Sequence, residues 1–492
     1  MPTATAGTTE LRRLAVKSTA WYGATRTWSQ VSMWVVTIVL ARMLTPQDYG
    51  LFAMALSVLA FIEVFQEFGL GAAIIQQQDV TREQLNGAFW IVVGASTLLT
   101  GIVLVASDLI GVIFAEPRLA AVLRVMSVLF LLNSFGMVPY ALLTKAIHLH
   151  RRSLADVCGV MASIPVALGL AYLGHGVWAL VFAHLARAVV LNALLAILAA
   201  WKPGFNAAFH DMGHIMSFGL RVVGAQVVNT LSNSANTMIV GRMLGGLEVG
   251  LYSMARGLAD GPHRISSSIV NQISFPIFAR VQTDRQALTR YFLRISKYLA
   301  IISLPIQVGI ALVAADLVPL VLSPSWNDMV GSLQIFALGG LAVGLSLPSG
   351  PLLQARGRPE VVLRFVWISS AAMVVALATG ALFGLLGVAL AWLFVLVPAR
   401  LWLLLLGLRE IGLSLPAYCR HLSSPLLATG AMALVVVLVQ RFTGGETSPV
   451  FHTSLAVCAG ALTYPGILLA LDRGLGADLR SIARDLTAPA KA

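Results

Sequence analysis

Apolar residues run along most of this chain in blocks long enough to cross a bilayer, separated by short polar interruptions. Such blocks lie near Trp21 to Leu40, Tyr49 to Glu67, Phe89 to Phe114, Leu119 to Leu143, Ala155 to Leu173 and Gly176 to Ala200. After a polar connection at 201–214 come Phe218 to Leu244, Gly250 to Phe278, Leu293 to Leu322, Gly331 to Leu353, Val362 to Leu382 and Val388 to Leu408. Pro425 to Val439 and Ser454 to Leu471 follow. About twenty apolar residues span the hydrocarbon layer as a helix, so the pattern predicts an all-α polytopic membrane protein with about fourteen transmembrane helices. The longer blocks must tilt or include interfacial turns.

Two of these blocks are interrupted by polar residues at helical spacing. Between Met216 and Asn271 the first half carries Arg221, Asn229, Asn233 and Asn236 at steps of 8, 4 and 3, with Gln226 beside them. The second half carries Arg256, Asp260, His263, Arg264, Ser267 and Asn271 at steps of 4, 3, 1, 3 and 4. Each set marks one face of a helix. Charges in the hydrocarbon layer are costly unless they face water or one another, so two adjacent helices of this kind predict a shared polar interior. In the first half, Arg26 and Gln30 on the first block and Glu63 with Glu67 on the second add to that interior. The alternative for any member is a buried ion pair, and Arg256 with Asp260 at i, i+4 fits a local one. Arg124, Arg187 and Arg400 rank lower, as charges expected close to helix ends.

Composition agrees with the block pattern. Of 492 residues 58% are hydrophobic and 11% charged, and mean hydropathy is +0.85. The formal net charge of +12 first suggests nucleic acid or anionic lipid as a partner. With the N-terminus inside, 22 Lys and Arg residues fall in inside segments and 4 in outside loops, so the positive-inside bias accounts for the charge without nucleic acid. Both termini are expected in the cytoplasm. Cys158, Cys419 and Cys458 sit in or next to apolar runs without CxxC spacing and read as packing residues. Arg12, Arg13 and Lys17 precede the first block and no cleavage pattern follows, which predicts a retained first helix and not a removed signal peptide.

An internal repeat is readable by eye. LARMLTPQDYGLFAMA at 40–55 and VGRMLGGLEVGLYSMA at 240–255 share seven of 16 positions at a shift of 200. A second match, at a shift of 210, relates Ala141 to Leu143 with Pro351 to Leu353, each before a basic loop. Two parallel six-helix repeats are expected, an N-terminal lobe at 1–200 and a C-terminal lobe at 215–410 joined by the cytoplasmic connection at 201–214. Residues 411–492 hold helices 13 and 14 and a cytoplasmic tail. At the repeated turn Thr45 is placed to N-cap the second helix, with Pro46 at its first position and Asp48 in its first turn.

No HExxH, no Walker A and no nucleophile set beside His and Asp is present, so no catalytic, metal or cofactor motif competes with a transport reading. The combination of LARMLTPQDYGLFAMA, EFGLGAAIIQQQDVTREQLNGAFW, LLNSFGMVPYALLTKAI, GVWALV and FGLRVVGAQVVN with IVGRMLGGLEVGLYSMARGL resembles the Wzx-type polysaccharide flippases of the MOP superfamily, in the lipopolysaccharide or exopolysaccharide branch. The resemblance covers about residues 15–410. It implies V-shaped lobes, a cation-lined cavity, and movement of undecaprenyl-diphosphate-linked oligosaccharide from the cytoplasmic to the outer leaflet of the bacterial inner membrane by alternating access. Expected partners are that lipid-linked oligosaccharide, membrane lipids, a polysaccharide polymerase and chain-length proteins. From the helical faces alone, the expected substrate-binding residues are Arg26, Gln30, Arg221, Gln226, Asn229, Asn233, Arg256, His263 and Arg264. Glu63, Glu67 and Asp260 are the candidates for coupling to a proton or sodium gradient. Two other readings remain: a cation-coupled small-molecule antiporter of the MATE family, which the two glutamates keep open, and a membrane glycosyltransferase or polymerase, for which no sizeable extramembrane loop is visible.

Overall fold

The computed structural model describes residues 28, 30, 32–66, 68–77, 79–146, 148–206, 213, 216, 230, 234–443 and 448–472. Among them the chain forms helices and no strands. In order these are α1 (Ser32–Met43), α2 (Pro46–Glu63), α3 (Leu70–Gln76), α4 (Arg82–Ile113), α5 (Arg118–Met126), α6 (Val128–Lys145), α7 (Leu149–Tyr172) and α8 (Val177–Leu198). A segment α9 (234–244) follows, then α10 (Gly246–Arg280), α11 (Arg285–Val321), a 3-10 turn (Pro324–Met329), α12 (Val330–Ser346), α13 (Ser349–Ala355), α14 (Pro359–Ala381), α15 (Gly384–Ile411), α16 (Leu415–His421), α17 (Ser423–Thr443) and α18 (Pro449–Leu471).

Ten helices among the described residues are long and apolar enough to cross a membrane, and each overlaps one of the expected blocks. Of the other four, the seventh block lies mostly outside the described residues and the first is described only from α1 onward. The second and eighth correspond to α2 and α10, which carry Glu63 and the Arg256, Asp260 and His263 face. Apolar side chains cover the outer surface: Val105 is 86% exposed and Leu462 75%, as a lipid-facing surface requires. Internal prolines such as Pro139, Pro262, Pro305 and Pro398 sit within these helices, and the Ile301 carbonyl that Pro305 frees accepts from Tyr464 of α18.

The chain divides into two compact units, Met1–Gly250 and Leu251–Ala492. In the first, Leu70, Ile74, Phe89, Val92, Met137 and Val138 form a core joining α3, α4 and α6. A second cluster packs Leu40 and Leu44 against Ala167, Ala179 and Leu180 of α7 and α8. Thr45 caps α2 as its sequence predicts, in a reciprocal capping box with Asp48. The helix stops earlier than its apolar block: α2 ends at Glu63 and the chain turns through left-handed Phe68 and Gly69 into α3. The repeated turn also meets its own copy within this unit. A β-carbon built on Gly50 would lie 1.7 Å from the Gly246 carbonyl oxygen, and one on Gly250 would lie 1.7 Å from that of Pro46. Since Gly50 and Gly250, like Pro46 and Gly246, are related by the shift of 200, the approach is symmetric, and only glycine allows it.

The first residues of the polar connection are fixed on α4. Trp90 Nε1 donates to Gly204 O at 2.9 Å, Asn86 accepts from Gly204 N at 3.0 Å and donates to Asn206 O at 2.9 Å, and Asn206 donates to Glu83 at 2.8 Å. Phe205 stacks on Trp90 with ring centroids 5.4 Å apart.

In the second unit, Phe278, Phe292, Leu304, Leu352, Leu404 and Tyr418 form a core around α11. The two final helices, α17 and α18, pack on α11 through Met432, Ala428, Ala456 and Tyr464. Polar contacts fix that packing along its length. Lys297 pairs with Asp472, Tyr464 OH donates to Ile301 O at 2.8 Å, and Gln440 donates to Leu312 O and Asp316 at 3.1 Å each.

Candidate functional site

In the second unit, one face of α10 presents Tyr252, Arg256, Asp260 and His263 at steps of 4, 4 and 3. Arg256 Nε donates to Asp260 Oδ2 at 3.0 Å, its Nη1 donates to the Tyr252 hydroxyl at 3.2 Å, and its guanidinium lies 5.0 Å from the centre of the Trp392 ring. The local i, i+4 pair is therefore formed, with both side chains still part-exposed. A third charge joins it. Arg400 of α15 lies within electrostatic reach of both Asp260 and Arg256, with its guanidinium 5.9 Å from the Phe365 ring centre. Arg256 is bonded to the carboxylate and Arg400 stands near both, so the cluster carries a net positive charge.

His263 belongs to a drier layer beneath this cluster. It is 5% exposed, and its Nε2 lies 2.7 Å from Gln307 Nε2, which also donates to Ala259 O at 2.8 Å. With that amide assigned as donor to both, Nε2 accepts and the ring proton sits on Nδ1. Gly340 and Gly344 of α12 make room for the pair: a β-carbon at 340 would stand 2.6 Å from the imidazole and one at 344 would stand 2.4 Å from Ser303 Oγ.

In the first unit Glu63, at the end of α2, is exposed and accepts from Asn133 Nδ2 of α6 at 3.2 Å. Asn133 Oδ1 in turn accepts from Asn192 Nδ2 of α8 at 3.2 Å. Nearby, buried Gln66 donates to Ser96 Oγ at 2.9 Å and to Phe130 O at 2.7 Å, tying the end of α2 to its neighbours. Gln30 is half-buried. Arg26, Glu67, Arg221, Gln226, Asn229 and Asn233 lie outside the described residues, and Arg264 is described only as part of the α10 backbone.

The structure brings Arg256 and Asp260 together, packs His263 below them, and gives Glu63 a partner the helical faces did not name. Of the three arginines ranked low, Arg124 fits the helix-end reading, paired with Asp108 near the end of α4. Arg187 and Arg400 instead lie mid-helix in α8 and α15. The signal was present in the spacing, since Arg400 stands 12 residues inside the block that starts at Val388 and eight before its end. The amides Asn133, Asn192 and Gln307 gave no comparable signal, because each is an uncharged residue in an apolar run.

The polysaccharide biosynthesis protein family matches residues 39–331, more than half of the chain. The chain belongs to this family. It is 26% identical to the teichuronic acid biosynthesis protein TuaB of Bacillus subtilis, over 90% of this chain and 94% of TuaB. It is likewise 26% identical to the lipopolysaccharide biosynthesis protein WzxC of Escherichia coli, over 73% of each chain. The succinoglycan biosynthesis transport protein ExoT of Rhizobium meliloti is 24% identical over 96% of both chains. Among solved structures, the lipid II flippase MurJ in an inward closed conformation superposes with a TM-score of 0.73 over 92% of this chain and 99% of MurJ, at 14% identity. A multidrug resistance MATE transporter in an inward-facing conformation gives 0.62 over 78% and 94%, at 16% identity. These likenesses establish the MOP transporter fold and a multi-pass membrane protein.

Proposed function

We propose that this protein moves undecaprenyl-diphosphate-linked oligosaccharide repeat units across the bacterial inner membrane by alternating access, supplying lipopolysaccharide or exopolysaccharide synthesis. The carrying observation is the match along nearly the whole length to ExoT, named as a succinoglycan biosynthesis transport protein, in a chain of the polysaccharide biosynthesis family. The side chains described above fit that cargo. Two arginines to one carboxylate, part-exposed inside an apolar helical unit, suit a diphosphate, which arginine binds through paired hydrogen bonds. Arg256 and Arg400 are the arginines of this cluster, and Gln30, Arg26, Arg221, Gln226, Asn229, Asn233, Arg264 and His263 are proposed as further substrate-binding residues. The same excess of cations weighs against the small-molecule antiporter reading, because a cation-selective cavity needs carboxylates to dominate.

In this reading the protein is a carrier and not an enzyme, its termini are cytoplasmic, and a polysaccharide polymerase and chain-length proteins take up the cargo. Glu63 is the proposed coupling acid, with Asp260 and Glu67 as further candidates, and a proton or sodium gradient supplies the bias for resetting. Reconstitution into vesicles with a fluorescent lipid-linked oligosaccharide tests the proposal, scored by protection of the headgroup after transfer between leaflets. Transfer no faster than in protein-free vesicles, under an imposed proton or sodium gradient, would sink it.

A further inference from the structure

Among the described residues, Glu63 is met by a directed chain of amides. Asn192 uses its Nδ2 twice, donating to Ala188 O of its own helix at 2.8 Å and to Asn133 Oδ1 at 3.2 Å. The carbonyl half of the Asn133 amide is therefore committed to Asn192, and its NH2 half must point the other way, at Glu63 Oε1, 3.2 Å distant. An amide can be turned over, and in water neither orientation is favoured. Here the orientation is set from α8, because turning Asn133 over would place its NH2 against the NH2 of Asn192 and its oxygen against the carboxylate. The seat of Asn192 is itself built for it. Asn192 is 8% exposed, and a β-carbon on Gly136 of α6 would lie 1.8 Å from Asn192 Oδ1, so glycine at 136 leaves the space that the side chain fills.

We propose that Asn133 and Asn192 are positioning residues for Glu63: Asn192 fixes the polarity of the Asn133 amide, which then presents a donor to the Glu63 carboxylate and links its protonation state to α6 and α8. A donor aimed at one oxygen favours the ionised acid over the neutral one. Loading Glu63 with a proton or a cation weakens that bond, so α2, α6 and α8 are joined more tightly when Glu63 is free and charged than when it is loaded. The significance for transport rests on the function proposed above. The geometry does not, and the experiment separates the two.

The probe is dicyclohexylcarbodiimide, which adds only to a protonated carboxyl and leaves an N-acylurea detectable at Glu63 by peptide mass spectrometry. With the purified full-length protein at pH 7, Glu63 in Asn133→Leu and Asn192→Leu should be modified about tenfold faster than in the parent, the scale of one hydrogen bond to a charged acceptor. Asn192→Ala, smaller than asparagine and able to fold where Leu fails, should show the same acceleration, because it can no longer donate to Asn133. Equal rates in the parent and all three variants, each monodisperse, overturn the proposal. Acceleration in Asn133→Leu alone overturns the role of Asn192. Should the rates shift as expected while the parent protein moves no lipid-linked oligosaccharide, the positioning chain stands and the transport reading falls.

Discussion

The carboxylate of Asp48 holds the amino ends of two helices at once: Oδ2 accepts from the Thr45 amide at 3.0 Å and from its hydroxyl at 2.8 Å, while Oδ1 accepts from the Val177 amide at the start of α8, at 3.0 Å. One negative charge thus serves two positive helix ends, the second starting 129 residues after Asp48 in sequence, a better use of it than either cap alone. Asp48→Ala should cost about 2 kcal/mol, one cap and one long-range hydrogen bond together, seen as a lower unfolding midpoint in detergent. Asp48→Asn, which keeps an acceptor but not the charge, should fall between.

The crossing of Gly50 and Gly250 leads to a second prediction. Because the blocking atom on each side is backbone, Gly50→Ala and Gly250→Ala must displace a helix and should each cost about 3 kcal/mol or more. Size-exclusion profiles of the expressed variants should lose the monodisperse peak. Gly94→Ala and Gly257→Ala, where a β-carbon meets nothing within 4 Å, should leave that peak intact or raise it, alanine being the better helix residue.

Charge counting at Tyr252, Arg256, Asp260 and Arg400 leads to a third. Removing either arginine leaves one cation against one carboxylate and no net attraction for an anionic headgroup. Arg256→Ala and Arg400→Ala should therefore each slow oligosaccharide transfer about tenfold, with membrane abundance near that of the parent. Asp260→Asn leaves two uncompensated cations and should lower KM while also lowering kcat, since a headgroup held more tightly is released more slowly. Full transfer by Arg400→Ala would remove that residue from the site.

Orientation is open to direct labelling. In a cysteine-free background, Asn327→Cys, exposed in the 3-10 turn before α12, should react with an impermeant maleimide in intact cells, and His150→Cys should react only after permeabilisation. Labelling of position 150 from outside would invert the topology.

Much of the fold was legible because the signals were local. Block lengths located ten membrane-length helices within eight residues of their observed ends, and Thr45-Pro46-Gln47-Asp48 marked the start of α2 by its own chemistry. The early stop of α2 was missed although Phe68-Gly69 marks it, because hydropathy does not distinguish a helix from a turn of equally apolar residues. The face of α10 was readable to the point of the Arg256 to Asp260 pair, which lies within one helix. Its third charge was not, since Arg400 comes from α15 and no sequence spacing encodes which helices are neighbours. Glu63 was singled out on charge alone, while the two asparagines that hold it are defined by their position in space.

Where Gly50 meets Gly250 the closest approach is made by main-chain atoms, carbonyl oxygen against glycine backbone, and those atoms neither ionise nor change rotamer. A transporter must change some of its contacts on every cycle. This contact is equipped to remain the same in each of them, a fixed reference against which the others move.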